Sequence, residues 1–441
     1  MTSGSPMRLL IVFALPLMLG NMFQQCYTIA DTLIVSRRLG VDALAALGSA
    51  DWFIWFIISI IQALTQGFSI LLAQQFGAGD RKGLRVSYAQ SVLLCVLFTA
   101  SLLTASEISV PFILRILNVP ESIRPLARLY IVIFFAGIPA QMLYNFTASV
   151  LRAFGNSRTP FTAMVFASLL NIALDVLFVL VLSWGVAGAA AATVISQAAS
   201  ALWCYLAVRR VEQVAGIKAG ELKPRWQVDR HLLVLAAPVV LQNILISVGG
   251  MIVASVVNTF GVDFVAGYTA TNKLYGALEM AAVAYGFACM TYAGQNYGAG
   301  NMARVRRGFR QGMVLAVVTS AVIGLLAVLF GRLITGAFLT GDAARVAAAG
   351  DIAYRFLFIL GVSLPILYIL YVARSTLQGL GDTVMPMVSG LGEFVMRVFM
   401  AVVVSRLIGY DAVFYGEVAA WLGADVVLVT AVLKRLYGRK Q

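Results

Sequence analysis

Long apolar runs, each closed by a short polar connection, are the feature that most constrains how this chain can fold. A helix of about 20 mostly apolar residues is long enough to cross a lipid bilayer. The chain is 61% hydrophobic and only 12% charged, and it contains twelve such runs. We therefore predict an all-α polytopic membrane protein with twelve transmembrane helices. The runs lie near residues 9–36, 45–76, 86–112, 124–147, 160–182, 187–208, 232–259, 264–296, 310–333, 350–372, 384–406 and 412–436.

The basic residues are placed as topology signals. The formal net charge is +13, but Lys and Arg occupy short connections between apolar runs, which argues against a nucleic-acid partner. They concentrate in the connections that face the cytoplasm when the N-terminus is cytoplasmic, as the positive-inside rule requires. This predicts a multi-pass protein of the cytoplasmic (inner) membrane with both termini in the cytoplasm. The four cysteines form no CxxC pair, so we predict no metal–cysteine site and no disulfide framework. We also expect no cofactor.

The sequence also contains an internal duplication. "AQQFGAGD" at 73–80 matches "GQNYGAGN" at 294–301. "LRAFGNSRTP" at 151–160 matches "LQGLGDTVMP" at 377–386. Matches that recur in the same order predict two copies of one six-helix unit.

The longest polar connection separates the two copies. It predicts an N-lobe over residues 1–208, a cytoplasmic inter-lobe linker over 209–230 and a C-lobe over 231–441. Because each copy has an even number of spans, we expect two six-helix lobes related by a pseudo-two-fold axis along the membrane normal. Transporters with such parallel repeats place the substrate at the interface between the lobes and work by rocking.

The first copy carries polar side chains inside its spans. Asn171 and Asp175 are four residues apart, so a helix places them on one face. Asp31 in the first span and Thr193 in the sixth add a carboxylate and a hydroxyl. Oxygen ligands of these kinds suit Na⁺, and a desolvated carboxylate also suits a proton carrier. We predict a coupling site for H⁺ or Na⁺ at these four residues, with a structural hydrogen-bond network as the alternative.

The first span holds three further candidates. Gln24 and Tyr27 share a helix face with Asp31, and we predict that they line or support a substrate cavity. Pro16 interrupts the backbone hydrogen bonding of the span and bends it. It is predicted to be a mechanical element, with a static kink as the alternative.

The second copy differs at the corresponding positions. Arg397 takes the place of Asn171, and Glu393 lies four residues before it, in the order that favours an intrahelical ion pair. We predict a structural or gating pair there. Val253 takes the place of Asp31, so the cation site is expected in the N-lobe alone. Glu279 in the eighth span is a candidate for the substrate cavity.

Taken together, these stretches resemble the multidrug and toxic compound extrusion (MATE) family over nearly the whole chain. The resemblance rests on Gln24, Tyr27 and Asp31, "QQFGAGD" at 74–80, "LRAFGNSRTP" at 151–160, Asn171 and Asp175, and "GAAAAT" ending in Thr193. It implies an antiporter that expels organic, often cationic, drugs in exchange for H⁺ or Na⁺. In the DinF-like branch, the cation site uses residues that match Asp31, Asn171, Asp175 and Thr193.

Two alternatives stay open. A flippase for lipid-linked oligosaccharides belongs to the same superfamily, but it would need a strongly basic cavity, and only Lys273 and Arg397 lie well inside the predicted spans, away from the span ends. A membrane-embedded enzyme would need a nucleophile, a metal cluster or a general base in convergent loops, and the chain has one histidine. We therefore expect a transporter rather than an enzyme, acting as a monomer on small organic molecules within the bilayer.

Overall fold

Helices account for almost all of the computed structural model of the chain. The structure describes residues 1–116, 119–214, 219–336 and 343–438, and within these ranges it contains no β-strand. Inside the described helices, the side chains of residues 26–33, 35–37, 39–46, 49–52, 219 and 343 are not described.

Thirteen α-helices form the described part of the fold, and the apolar runs of the sequence provide nearly all of them. They are α1 (Pro6–Ala78), α2 (Arg81–Ile116), α3 (Arg124–Ala136), α4 (Ile138–Ala153), α5 (Arg158–Asp175), α6 (Gly185–Arg209), α7 (Trp226–Val257), α8 (Val262–Gly298), α9 (Met302–Gly336), α10 (Ala343–Gly379), α11 (Val384–Phe399), α12 (Ser405–Ile408) and α13 (Asp411–Tyr437).

The predicted spans are confirmed. Eleven helical segments of the described residues are long and apolar enough to cross a bilayer, and α3 with α4, bent by 45°, supplies a twelfth. The first two spans, Pro6–Gln25 and Phe53–Ala78, both belong to α1. Pro16 lies inside the first of them, and the helix continues on both sides of it. The chain is therefore a multi-pass, all-α membrane protein.

The helices pack into two compact units whose limits differ from the lobes expected from the sequence. One unit contains Leu15–Val240, and the other contains Met1–Ala14 with Leu241–Gln441. Each change of unit falls inside a helix, within α1 and within α7, rather than in the polar connection at 209–230. The lobes at 1–208 and 231–441, and the axis that relates them, stay predictions about the duplicated sequence.

The duplication is visible in the order of the secondary structure. In the first copy, α5 is followed by the π-helical segment Val176–Val181 and then by α6. In the second copy, α11 is followed by the π-helical segment Met400–Val404 and then by α12 and α13. A π-helical segment inserts an extra residue into a helix and is frequent at functional sites.

Small residues allow the helices of one unit to approach closely. A Cβ atom added at Gly324 in α9 would overlap the backbone carbonyl oxygen of Gly361 in α10. Membrane helices depend on such contacts, because burial of apolar side chains gives little advantage where the surrounding lipid is apolar too.

Candidate functional site

Asn171 and Asp175 are both buried residues of α5. Asn171 is 2% exposed and Asp175 is 0% exposed. The same stripe of the helix continues through Ala163, Ala167 and Ser168, which are also buried. The helix packs against α6 along its length. The apolar and small residues of the stripe thus hold an amide and a carboxylate inside the packed unit.

The amide of Asn171 has no hydrogen-bond partner among the described residues, on either its oxygen or its nitrogen. An unsatisfied buried polar group costs about 1–3 kcal/mol. A bound ion or an ordered water is the kind of group that completes the bonding of such an amide. The amide oxygen of Asn171 is therefore available to coordinate a cation.

Thr193 lies on α6, the helix that packs against α5. Its hydroxyl group donates a hydrogen bond to the carbonyl oxygen of Ala189 at 3.1 Å. Because a hydroxyl oxygen also carries two acceptor lone pairs, this bond leaves the oxygen able to act as a ligand. The structure thus places Thr193 on a helix suited to the predicted site.

Two further polar residues of α6 escaped the sequence analysis. Ser196 and Gln197 follow Thr193 by three and four residues, so they belong to the same side of the helix. The hydroxyl oxygen of Ser196 and the amide oxygen of Gln197 are buried without hydrogen-bond partners in the part of the chain that the structure describes. The spacing within "TVISQ" is the signal that could have identified them.

The helix hydrogen bonding changes directly after Asp175. The π-helical segment begins at Val176, and the backbone N–H of Leu182 donates to the carbonyl oxygen of Leu177 at 2.8 Å. Such a segment alters the direction of the side chains that follow it and weakens the local helix. Asp175 therefore lies where the regular α-helical hydrogen bonding of α5 ends.

The candidates of the first span lie at the edge of what is described. Gln24 is exposed. The side chains of Tyr27 and Asp31 fall outside the described residues, although both positions belong to α1. That Asp31 faces Asn171 and Asp175 stays a prediction.

In the unit that contains the second copy, the predicted pairing of Glu393 with Arg397 is wrong. Glu393 forms a buried ion pair with Arg374 of α10. Arg397 pairs with Glu417 of α13, with 2.8 Å between the guanidinium nitrogen and the carboxylate oxygen. Both partners come from helices that pack on α11, and a sequence spacing of four could not reveal them.

Arg374 is held from two sides. With its amide oriented so that the oxygen faces the guanidinium, Gln242 of α7 accepts hydrogen bonds from Arg374 at 2.8 Å and 3.2 Å. The glutamate of α11 completes the set. Arg374 lies inside the span Ala344–Gly379, two residues beyond the end predicted from the sequence at residue 372.

Glu279 is partly buried and accepts a hydrogen bond from the hydroxyl group of Tyr371 at 2.5 Å. The sequence offered no partner of this kind, because Tyr371 lies on another helix, α10. Asp425 of α13 has a buried carboxylate oxygen without a hydrogen-bond partner among the described residues. Glu393, Arg397 and Glu279 of the second copy thus each have a specific partner, in contrast to this oxygen of Asp425.

Comparison with known proteins decides the family. The sequence model of the MatE family matches residues 16–177 and 238–403. The chain belongs to the MatE family. The predicted resemblance is thus confirmed, and the chain is a MATE transporter; its assignment to the DinF-like branch stays a prediction.

Relatives of this MATE transporter include "Probable multidrug resistance protein YpnP" of Bacillus subtilis (strain 168), which is 35% identical over 69% of this chain and 68% of that protein. "Probable multidrug resistance protein NorM" of Thermotoga maritima is 26% identical over 97% of this chain and 91% of that protein. A solved transporter of the MOP superfamily from Pyrococcus furiosus superposes with a TM-score of 0.91 at 24% identity, covering 98% of this chain and 96% of that one. The structural likeness shows that the fold is shared.

Proposed function

We propose that this MATE transporter is a secondary active antiporter that exports organic, cationic or amphipathic compounds and drugs in exchange for H⁺ or Na⁺. The buried face of α5 supports this most directly, because Asp175 is 0% exposed and the neighbouring amide of Asn171 has no internal partner in the described chain. The relatives named as multidrug resistance proteins support the substrate class.

The coupling ion would bind in the first copy. For Na⁺, the ligands would be carboxylate oxygens of Asp31 and Asp175, the amide oxygen of Asn171 and the hydroxyl oxygen of Thr193, which are the hard oxygen donors this ion prefers. For H⁺, the carboxylates alone would suffice. Binding would neutralise buried negative charge, and this would shift the equilibrium between outward-open and inward-open states in an alternating-access cycle.

The remaining assignments follow from the same proposal. Gln24, Tyr27 and Glu279 would line or support the substrate cavity, and Pro16 would bend the first span during the cycle. The protein would act as a monomer in the cytoplasmic membrane, with both termini in the cytoplasm and no cofactor.

The flippase alternative is disfavoured by the charges of the second copy. A cavity for a pyrophosphate needs basic side chains that are free to bind an anion. Arg374 and Arg397 are each paired with a glutamate of the same unit. Their positive charge is already neutralised, which leaves Lys273 of α8 as the remaining basic side chain of the three.

The test is transport by purified protein in liposomes under a pH gradient or a Na⁺ gradient, followed with a fluorescent organic cation. We expect one gradient to drive uptake and the Asp175→Asn variant to abolish it. Asp351→Asn is the matched control. It is the same chemical substitution, but Asp351 is exposed and forms an ion pair with Arg332 at 3.5 Å. Full activity in Asp175→Asn would refute the proposed site, and no transport under either gradient by folded protein would refute the antiporter.

A further inference from the structure

Residues 221–225, which directly precede α7, are attached to α2 by hydrogen bonds. Gln90 is 0% exposed. Its amide nitrogen donates hydrogen bonds to the carbonyl oxygens of Glu221 and Lys223, both at 2.9 Å. Its amide oxygen accepts one from the backbone N–H of Arg225 at 3.1 Å. All donors and acceptors of this buried side chain are thus directed at one short stretch of backbone.

A bidentate ion pair strengthens this attachment. Arg85 donates from Nε and Nη2 to the two carboxylate oxygens of Glu221, each at 3.1 Å. Paired guanidinium and carboxylate groups of this geometry are strong and directional. The segment is therefore anchored through backbone atoms and one glutamate, which leaves its other side chains free.

Those free side chains form an exposed surface, the linker face, made of Leu222, Lys223, Arg225, Trp226 and Arg230. Trp226 is 72% exposed and Leu222 is 38% exposed. Lys223, Arg225 and Arg230 are exposed, and within the described residues their side chains form no ion pair. Arg230 follows Trp226 by four residues at the start of α7, so both lie on one side of the helix.

Three acidic side chains lie on or beside this surface among the described residues, and one of them, Asp229 in the first turn of α7, is partly buried, with one carboxylate oxygen that has no hydrogen-bond partner there. Glu221 is bound to Arg85, and Glu212 lies 3.5 Å from Arg81. The linker face therefore combines unpaired positive charge with an exposed indole ring and an exposed leucine. This combination matches a partner that offers anionic groups beside apolar chains.

The position of the linker face identifies that partner. It extends from Leu222, before the span Trp226–Phe260, to Arg230 in the first turns of that span. Tryptophan side chains at span ends lie at the level of lipid headgroups, and clustered basic residues beside spans attract anionic lipids. We propose that the linker face is a binding site for anionic phospholipids, with Lys223, Arg225 and Arg230 on the phosphates and with Trp226 and Leu222 among the glycerol and upper acyl groups.

This proposal goes further than a topology signal. A topology signal requires only positive charge near a span, whereas a lipid site also requires the exposed apolar residues and a fixed backbone. It does not depend on the proposed antiport, because none of its residues belongs to the candidate cation site. Failure of either proposal would leave the other intact.

The test is lipid binding by the purified full chain in detergent, measured as the rise of the thermal unfolding midpoint during titration with phosphatidylglycerol. Phosphatidylcholine and inorganic phosphate serve as parallel titrants. We expect a saturable rise with phosphatidylglycerol alone.

The double variant Lys223→Gln/Arg225→Gln should weaken the apparent affinity about tenfold, because each basic residue near an anionic surface contributes to binding. Trp226→Ala should weaken it about threefold or more.

The matched control is Lys434→Gln/Arg435→Gln, which removes the same charge from exposed positions in the last turn of α13. We expect its lipid affinity to equal that of the wild type. An equal loss in both double variants would show that any basic helix end suffices and would overturn the proposal. An equal response to phosphatidylcholine or to inorganic phosphate would overturn it as well.

Both linker variants should fold, because Gln90 contacts only backbone atoms of residues 223 and 225. If the double variant nevertheless has a lower unfolding midpoint without lipid, Arg230→Gln replaces it, since the side chain of Arg230 lies outside the attachment to α2. Unchanged phosphatidylglycerol affinity in Arg230→Gln and in Trp226→Ala together would then refute the site.

Discussion

Substitution of the buried Asn171 distinguishes a structural role of its amide from a functional one. Neither its oxygen nor its nitrogen has a hydrogen-bond partner among the described residues, so the free protein carries the cost of an unsatisfied group, about 1–3 kcal/mol. A leucine of similar size removes that cost. We therefore expect Asn171→Leu to raise the unfolding midpoint of the ion-free protein and to reduce gradient-driven transport at least tenfold.

Thermal unfolding and liposome transport on the same preparation check this prediction. Thr147→Val is the control, because the hydroxyl of Thr147 is satisfied by the carbonyl oxygen of Leu143 at 2.6 Å; it should not stabilise the protein. A lowered midpoint in Asn171→Leu would mean that the amide stabilises the fold, and the cation site would lose its main support.

The ion pair of Arg374 with Glu393 makes a second prediction at this scale. Removing one partner of a buried pair leaves an uncompensated charge and costs about 3–5 kcal/mol, whereas replacing both with apolar residues is often nearly neutral. We expect Glu393→Met alone to destabilise strongly and Arg374→Met/Glu393→Met to recover most of the loss. Denaturant titration in detergent measures this. Additive losses would show that the two side chains do not act as a pair. Breaking the exposed pair of Arg81 with Glu212 should have little effect.

At the scale of elements, the break between α3 and α4 is shaped by a side chain of α6. The two helices meet at Gly137 with a 45° bend. A Cβ atom added there would lie 2.7 Å from Cγ2 of Val194, which is the neighbour of Thr193. The absence of a side chain at Gly137 thus allows α6 to approach the bend.

This contact predicts that a side chain at Gly137 lowers stability and that a smaller side chain at Val194 restores part of it. Gly137→Ala should destabilise the protein by about 1–3 kcal/mol through overpacking. Adding Val194→Ala should restore about 1 kcal/mol or more of that loss, because the two sites are coupled through direct contact. A double-mutant cycle by denaturant titration measures the coupling energy, and a value near zero would contradict the packing described.

Gly423→Ala is the matched control for that cycle. Gly423 lies in α13 with open space around its Cβ position. Alanine is favoured over glycine in a helix by about 1 kcal/mol. This substitution should therefore stabilise the protein slightly, and a loss would indicate that every glycine substitution harms these helices.

The sequence predicts those helices and helix faces that depend on residues close together in the chain. Hydropathy located all twelve spans, and the spacing of four placed Asn171 and Asp175 on one buried face of α5. The bend at Gly137 depends on α6, and the partners of Glu393 and Arg397 come from α10 and α13. Contacts between helices distant in sequence leave no periodic signal in a single chain, so these features required the structure.

At the scale of the whole molecule, each compact unit includes a short helical segment from the copy of the repeat that mostly forms the other unit. Met1–Ala14 packs with Leu241–Gln441, and the first part of α7, up to Val240, packs with the unit that begins at Leu15. The linker face is joined to that same unit through Gln90 and Arg85. A cut in the polar connection between α6 and α7 would therefore leave each fragment with segments in both units.

This arrangement predicts that the polypeptide connection at 210–213, which contains the exposed residues Arg210 and Glu212, is dispensable after folding. A protease site inserted there should be cleaved without separating the fragments, and the two should co-elute in size-exclusion chromatography with an unfolding midpoint close to that of the intact chain. Each fragment would have to withdraw a helical segment from a packed unit to leave, and burial of those segments opposes this. Lobes divided at 208 and 231 would share no such segments, so separation of the fragments under the same mild detergent conditions would favour the division expected from the sequence.

A second site at 119–123, between α2 and α3 of one unit, is the control. Cleavage there also leaves both products packed within that unit and should give the same co-elution.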